Sequence, residues 1–373
     1  MDPAERVRTR VEAAFERREG RRLTRREREF VTAAAHRARD DSHAECDVPR
    51  MKALLQEDPS LAGTVGPLAL VPAAVYHGTH DAVRFLLEQG VDQLYDCQTG
   101  MDRRHEYHPV FRAFANGNLE SLRTLFDAGV SNANVVNAKP RGIPGHATLL
   151  YGCIGKPREV AGFILEYGGD PEAELTGNGE RGRTVLQDAV APPFDGAFSP
   201  WHNPRLWGER MRFAEFLLER GAYYDVYSAC GRDDLTRVKE LVEGGEAAVT
   251  DRHEAGMTPL HWAVRGDARC CAAWLLAEGA EVDAATGTDR TPLHLAAEWG
   301  HTEMIWLLAS HGADLDRPDS KGRTPLHRST YTGEVEAAEI LIVLGADTSM
   351  ETPAGRTAIQ LARFGCRFLK ESP

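Results

Sequence analysis

The chain holds 373 residues, 42% of them apolar, and carries a formal net charge of −12. No apolar run approaches the roughly 18 residues that span a bilayer. The first residues are charged where a secretory leader would be apolar, and the acidic total argues against a general nucleic-acid binder, whose affinity comes from neutralising phosphates.

Seven cysteines (Cys46, Cys97, Cys153, Cys230, Cys270, Cys271 and Cys366) are odd in number and scattered, with no Cys-x-x-Cys pair. That pattern predicts free buried thiols in a reducing, cytoplasmic setting. Arginine greatly outnumbers lysine, which reads as genomic base bias of a bacterial kind and carries little mechanism.

Residues 1–39 predict two helices. Asp2, Pro3 and Glu5 form a capping pattern ahead of Val7, Val11, Ala14 and Phe15, and Thr24 with Glu27 forms a capping box ahead of Phe30, Val31, Ala34 and Ala35. This segment reads as an Arg-rich helical N-terminal cap whose arginines are its solvated side. The sharper alternative is a basic arm for an acidic partner or nucleic acid, carried by Arg21, Arg22, Arg25 and Arg26.

Residues 40–255 repeat a weaker theme. Met51–Leu55 and the turn at Asp58–Pro59 predict one helix and its end. Gly78 and Gly90 are 12 residues apart, as are Gly117 and Gly129, and FILEYG, FLLERG and Val238–Gly245 mark further helix ends. The links that follow are long: 18 residues from Gly90 to His108, 19 from Gly129 to Thr148 and 16 from Gly168 to Thr184.

An insertion, 192–210, separates a helix at Thr184–Ala191 from one expected at Met211–Glu219. Extra loop residues cost little and often carry function. The first long link holds Asp102, Arg103, Arg104, His105, Tyr107 and His108. Metal binding there lacks a third and fourth ligand, so a polar contact loop is expected. Gly177, Gly179 and Gly182 spell GxGxxG without the strand or the distant acidic residue that a dinucleotide site needs, though Arg181 and Arg183 beside a helix start would suit an anion. The insertion brings Asp195, Phe198, Trp201, His202 and Trp207, either anchors of the loop or recognition hot spots. No cofactor is called for.

Residues 256–373 are strictly periodic. TPLHWA begins at Thr258, TPLHLA at Thr291, TPLHRS at Thr324 and a weakened TAIQLA at Thr357, each 33 residues after the last. A fixed period of this size means stacked supersecondary units. Thr291 caps a helix start and Pro292 sits where its missing N–H costs nothing. Leu293, Leu295, Ala296 and Ala297 form a packing face, Gly300 turns the chain, and Met304, Ile305, Leu307 and Leu308 stripe a second helix that Gly312 ends. An extended, turn-containing finger follows.

TPLH, the glycines and the Gly312–Asp314 GAD resemble the ankyrin repeat. The resemblance implies an all-α, ankyrin-type helical repeat solenoid of about eight helix pairs with projecting hairpin fingers, plus caps. It implies that His261, His294 and His327 serve packing. It exposes Glu298 and Trp299, Tyr331 and Thr332, and earlier Tyr76 and His77, on a concave surface. The function implied is a non-catalytic protein–protein interaction module with a partner of unknown identity. The alternative is an enzyme or small-ligand binder in the N-terminal groove, using Asp102, His105, His108, His146, Asp195 and His202 as acid–base groups.

Overall fold

The computed structural model describes residues 12–13, 15–16, 19–34, 46–74, 80–91, 109–129, 136–137, 147–153, 156–173, 184–190, 204–253 and 256–361. Contacts divide the chain into two units, Met1–Ala173 and Glu174–Pro373.

In the first unit, α1 (Arg25–Ala34), α3 (Leu61–Ala73) and α5 (Pro109–Ala115) pack one on the next as an inner row. Beside them α2 (Val48–Glu57), α4 (His80–Glu88) and α6 (Leu119–Asp127) pack as an outer row. The Thr24–Glu27 box closes as the sequence predicts: the Thr24 N–H donates to the Glu27 carboxylate at 2.7 Å and the Glu27 N–H to the Thr24 hydroxyl at 3.2 Å. Arg21 also pairs with Glu27, and Arg26 with Glu57. The link after α6 contains a two-stranded antiparallel ribbon, β1 (Val136–Asn137) with β2 (Ala147–Thr148), and leads through a 3-10 turn to α7 (Arg158–Glu166).

The second unit repeats the two-row order. Its inner row is α8 (Val185–Val190), α10 (Val226–Gly231), α12 (Pro259–Arg265), α14 (Pro292–Trp299) and α16 (Pro325–Thr332). Each inner helix packs against the outer helix that follows it: α9 (Pro204–Glu219), α11 (Leu235–Glu243), α13 (Arg269–Ala277), α15 (Thr302–Ser310) and α17 (Val335–Leu344). Leu260, Leu293 and Leu326, one per repeat, are at most 1% exposed, each worth roughly 2 kcal/mol of burial. The helix α9 begins at Pro204, two turns before the Met211 start expected from sequence, because Arg210 turns inward: it is 2% exposed and donates to the Ala189 carbonyl at 3.3 Å. The insertion therefore shortens to the segment before Pro204.

Neighbouring repeats are tied by recurrent bonds. Each finger tip is first closed on itself, the Thr286 and Asp319 N–H groups donating to the Arg290 and Arg323 carbonyls at 2.9 and 2.8 Å. The N–H of Asp347 in the last GAD donates to Asp316 of the repeat before at 2.8 Å. The helix α13 starts at Ala268, which has no capping side chain, and Asp233 of the preceding turn supplies one by accepting the Cys271 N–H at 2.9 Å.

Inner helices end on a left-handed residue, Gly300 (φ 70°) and Gly333 (φ 86°), and Asp267 (φ 51°) takes the same place one repeat earlier. The adjacent Gly266 is needed for a different reason. A Cβ there would lie inside the van der Waals radius of the Gly231 carbonyl oxygen, so the ends of α10 and α12 meet backbone to backbone. Gly266→Ala is expected to cost about 1–3 kcal/mol by forcing the two helices apart. A thermal melt within a degree of the parent would show that the helices have room to part.

Candidate functional site

Three histidines recur at 33-residue intervals, and the structure makes each an internal strut. The Nδ1 atoms of His261, His294 and His327 accept the backbone N–H of Thr258, Thr291 and Thr324 at 3.1, 3.1 and 3.3 Å. That acceptance places the ring proton on Nε2. The Nε2 atoms then donate to the carbonyls of Arg290, Arg323 and Arg356, at 3.2, 2.9 and 3.1 Å, in the finger of the following repeat. Burial drives His261 and His294 down to about 4 and lowers His327 as well, so all three are neutral near pH 7. Gln187 and Gln360 take over the local half of the task, each accepting its threonine's N–H at 3.1 Å.

Beside these struts runs a buried chain of charges. Arg290 reaches Glu298 at 3.1 Å, Glu298 faces Arg328 at 3.6 Å, and Arg328 grips Asp319 at 2.6 Å. Burial alone would raise the Asp319 carboxyl. The Arg323 N–H and the Arg328 guanidinium outweigh it and hold the group below the usual carboxylate range. Burial pulls the Arg290 guanidinium down.

Two of these residues define a slot that recurs with different chemistry. Eight residues apart in successive repeats stand Met257 and Arg265, whose Nη1 lies 3.9 Å from the Met257 sulfur, then Arg290 and Glu298, then Arg323 and Tyr331. The last pair is the open one. Tyr331 is 43% exposed with the Arg323 guanidinium 4.8 Å from its ring centroid, whereas Glu298 in the same slot is 3% exposed. The expectation that Glu298 lies open on the surface is therefore corrected. Arg328 of the next repeat covers it, and the residue in that place after Tyr331 is Leu361, which carries no charge to reach back. Trp299 is half-buried at the end of α14.

Upstream, the slot is closed by aromatics. The Arg265 guanidinium lies 5.3 Å from the Trp262 ring, which packs against Tyr227 and His253 at 5.9 and 5.8 Å.

Residues 268–352 match the family model for ankyrin repeats, in three copies. This segment is an ankyrin-repeat array. No curated protein matches the chain. Within the ankyrin array the threonine–histidine boxes, the GAD turns and the finger hairpins fall at the positions the sequence marked.

Tyr76, His77, Asp102, Arg103, Arg104, His105, Tyr107, His108, His146, Arg181, Arg183, Asp195, Phe198, Trp201 and His202 lie outside the described residues. Trp207 is in the first turn of α9, and its side chain is not among those described. Among the described residues no group of three or more His, Cys, Asp or Glu is placed to hold a metal, and no helix is long and apolar enough to cross a membrane.

Sequence reading missed the exposed Trp306 on the outer row. Its signal was present: in TEMIWLLAS the buried stripe is Met304, Ile305 and Leu308, and the tryptophan falls off it.

Proposed function

We propose that the chain is a non-catalytic interaction module of the cytoplasm, which grips a protein partner along the face carrying its inner helices and fingers. Ankyrin repeats are in general protein–protein interaction modules, and the observation that carries the reading here is how the repeats spend their polar groups. The histidines, threonines and buried ions that would supply acid–base chemistry are committed to one another, while Tyr331, a large amphipathic side chain, is left open and propped from below by Arg323. Five free cysteines among the described residues suit a reducing compartment. The insertion before Pro204, with Phe198, Trp201 and His202, supplies a second contact and the specificity that the repeat framework leaves unspecified.

The test is affinity capture from the source organism's lysate. It compares the intact chain with Tyr331→Ala and with a chain whose segment 192–203 is a short turn, which spares the buried Arg210. Retention by the intact chain with a tenfold or greater weakening in either variant is the expected result, an aromatic hot spot being worth about 2 kcal/mol or more. An intact chain that retains no protein and carries a small molecule which it turns over would displace this reading in favour of an enzyme.

A further inference from the structure

On the outer row, cations cover aromatic rings in a regular way. Lys52 of α2 lies 5.5 Å from the ring centroid of Phe85 on α4, Arg123 of α6 lies 5.3 Å from that of Phe163 on α7, and Lys239 of α11 lies 5.9 Å from that of Trp274 on α13. In each case the cation comes from one outer helix and the ring from the next.

Trp306 on α15 stands apart from this series: the rings lie five residues before Gly90, Gly168 and Gly279, whereas Trp306 lies six before Gly312, the place that Arg123 and Lys239 take before Gly129 and Gly245, and so it faces the next outer helix. It is 47% exposed, and the nearest basic residue on the preceding outer helix, Arg269, pairs with Glu303 instead. Neither α15 nor α17 contains a lysine or arginine.

Between these two helices lies a groove of about 400 Å³, lined by Thr302, Trp306, Ile340 and Val343 and edged by Glu336 and Glu339. Val343 is 74% exposed. The site thus offers a bare indole and an apolar wall beside two carboxylates. It calls for a segment that presents cations and bulky apolar side chains together.

The chain contains such a segment. Residues 362–373, ARFGCRFLKESP, lie outside the described residues and follow directly on Leu361 of the same unit. Arg363, Arg367 and Lys370 alternate there with Phe364, Phe368 and Leu369. Twelve residues reach up to about 40 Å when extended.

We propose that residues 362–373 fold back onto this groove, placing an arginine over Trp306 between Glu336 and Glu339 and a phenylalanine against Val343. The segment's cations answer the two carboxylates and its aromatic rings the apolar wall, and it covers a face distinct from the one offered to a partner.

The test uses the full chain with Val343→Cys, an exposed position, and the native Cys366. Oxidised glutathione accepts the two electrons as a disulfide forms, and non-reducing peptide mapping locates the bond. The expected product is a 343–366 link within one chain, its yield falling at least fivefold when Trp306→Ala and Glu339→Lys are added. Thr302→Cys on the opposite wall repeats the measurement should Val343→Cys disturb folding. Absence of the link from both cysteine variants overturns the proposal, as does a yield indifferent to the two further substitutions. Mixing isotopically labelled and unlabelled chains separates the remaining case: links that join one chain to another mean that a second copy fills the groove, which also overturns it.

Discussion

Lowering the pH from 7 to 4 is expected to remove about 6 kcal/mol of stability from the repeats that hold His261 and His294, a large part of what a domain of this kind has. His261 and His294 titrate near 4 when folded and near 6.5 when unfolded, a difference worth about 3 kcal/mol for each. The folded values are depressed because burial disfavours the imidazolium, and because a protonated Nδ1 can no longer accept the threonine N–H. Between these pH values the unfolded chain binds the extra protons. Stability is therefore complete above about 6.5 and is lost as pH falls toward 4, with His327 contributing in the same direction. Glu27, held to about 2 chiefly by its bond from Arg21, acts in another window: its contribution is present above roughly 4.3 and disappears only as pH falls through about 2.

Urea midpoints at pH 7, 5.5 and 4 measure the effect. His294→Gln is the informative variant, since Gln187 and Gln360 already accept the same threonine N–H without titrating. It should flatten the pH dependence by about half, at a pH-independent cost of about 1 kcal/mol for the lost bond to the Arg323 carbonyl. An unchanged slope in that variant would show that the histidines do not carry the acid sensitivity.

Asp319→Ala is expected to cost about 3–5 kcal/mol, because it removes both hydrogen bonds to the Arg328 guanidinium, only 5% exposed, and leaves it just the longer 3.6 Å approach of Glu298. Removing both partners should cost much less. The preceding repeat shows what a neutral version looks like: Thr286 stands at the Asp319 position, accepting from the Arg290 and Thr288 N–H groups, and Leu295 at the Arg328 position is 1% exposed. Asp319→Thr with Arg328→Leu should recover most of the loss, leaving Glu298 still paired with Arg290. Equilibrium denaturation of the single and double variants gives the coupling directly. A single variant within 0.5 kcal/mol of the parent would mean that solvent reaches Arg328 after all.

What the sequence made legible was local. Thr-x-x-His, the paired glycines and the GAD turn depend on residues a few positions apart, and the helix pairs they predict at Thr258, Thr291 and Thr324 are those observed. Glu298 was misjudged because its exposure is decided by Arg328, thirty residues on. In the same repeat slot Tyr331 is 43% exposed, with Leu361 in the place of that arginine. The start of α9 was missed for a related reason, since Arg210 is held by the end of α8 and not by its own neighbours. The groove at Trp306 required knowing that α17 brings two carboxylates and no cation alongside it. Pattern reading sees the framework of each repeat, while burial and charge pairing are settled between repeats.

The histidine struts give the array a direction. Every Nε2–H reaches forward, from an inner helix to a finger carbonyl 29 residues later, and Gln360 in the final box has no ring with which to continue the series. Loosening one finger leaves the histidine behind it with a buried donor and no acceptor, so a disturbance at the late end propagates toward earlier repeats. A disturbance at the early end is felt ahead as well: it strips a finger carbonyl of its donor, and loosening Asp316 leaves the Asp347 N–H without that acceptor. Held this way, each repeat answers to both of its neighbours.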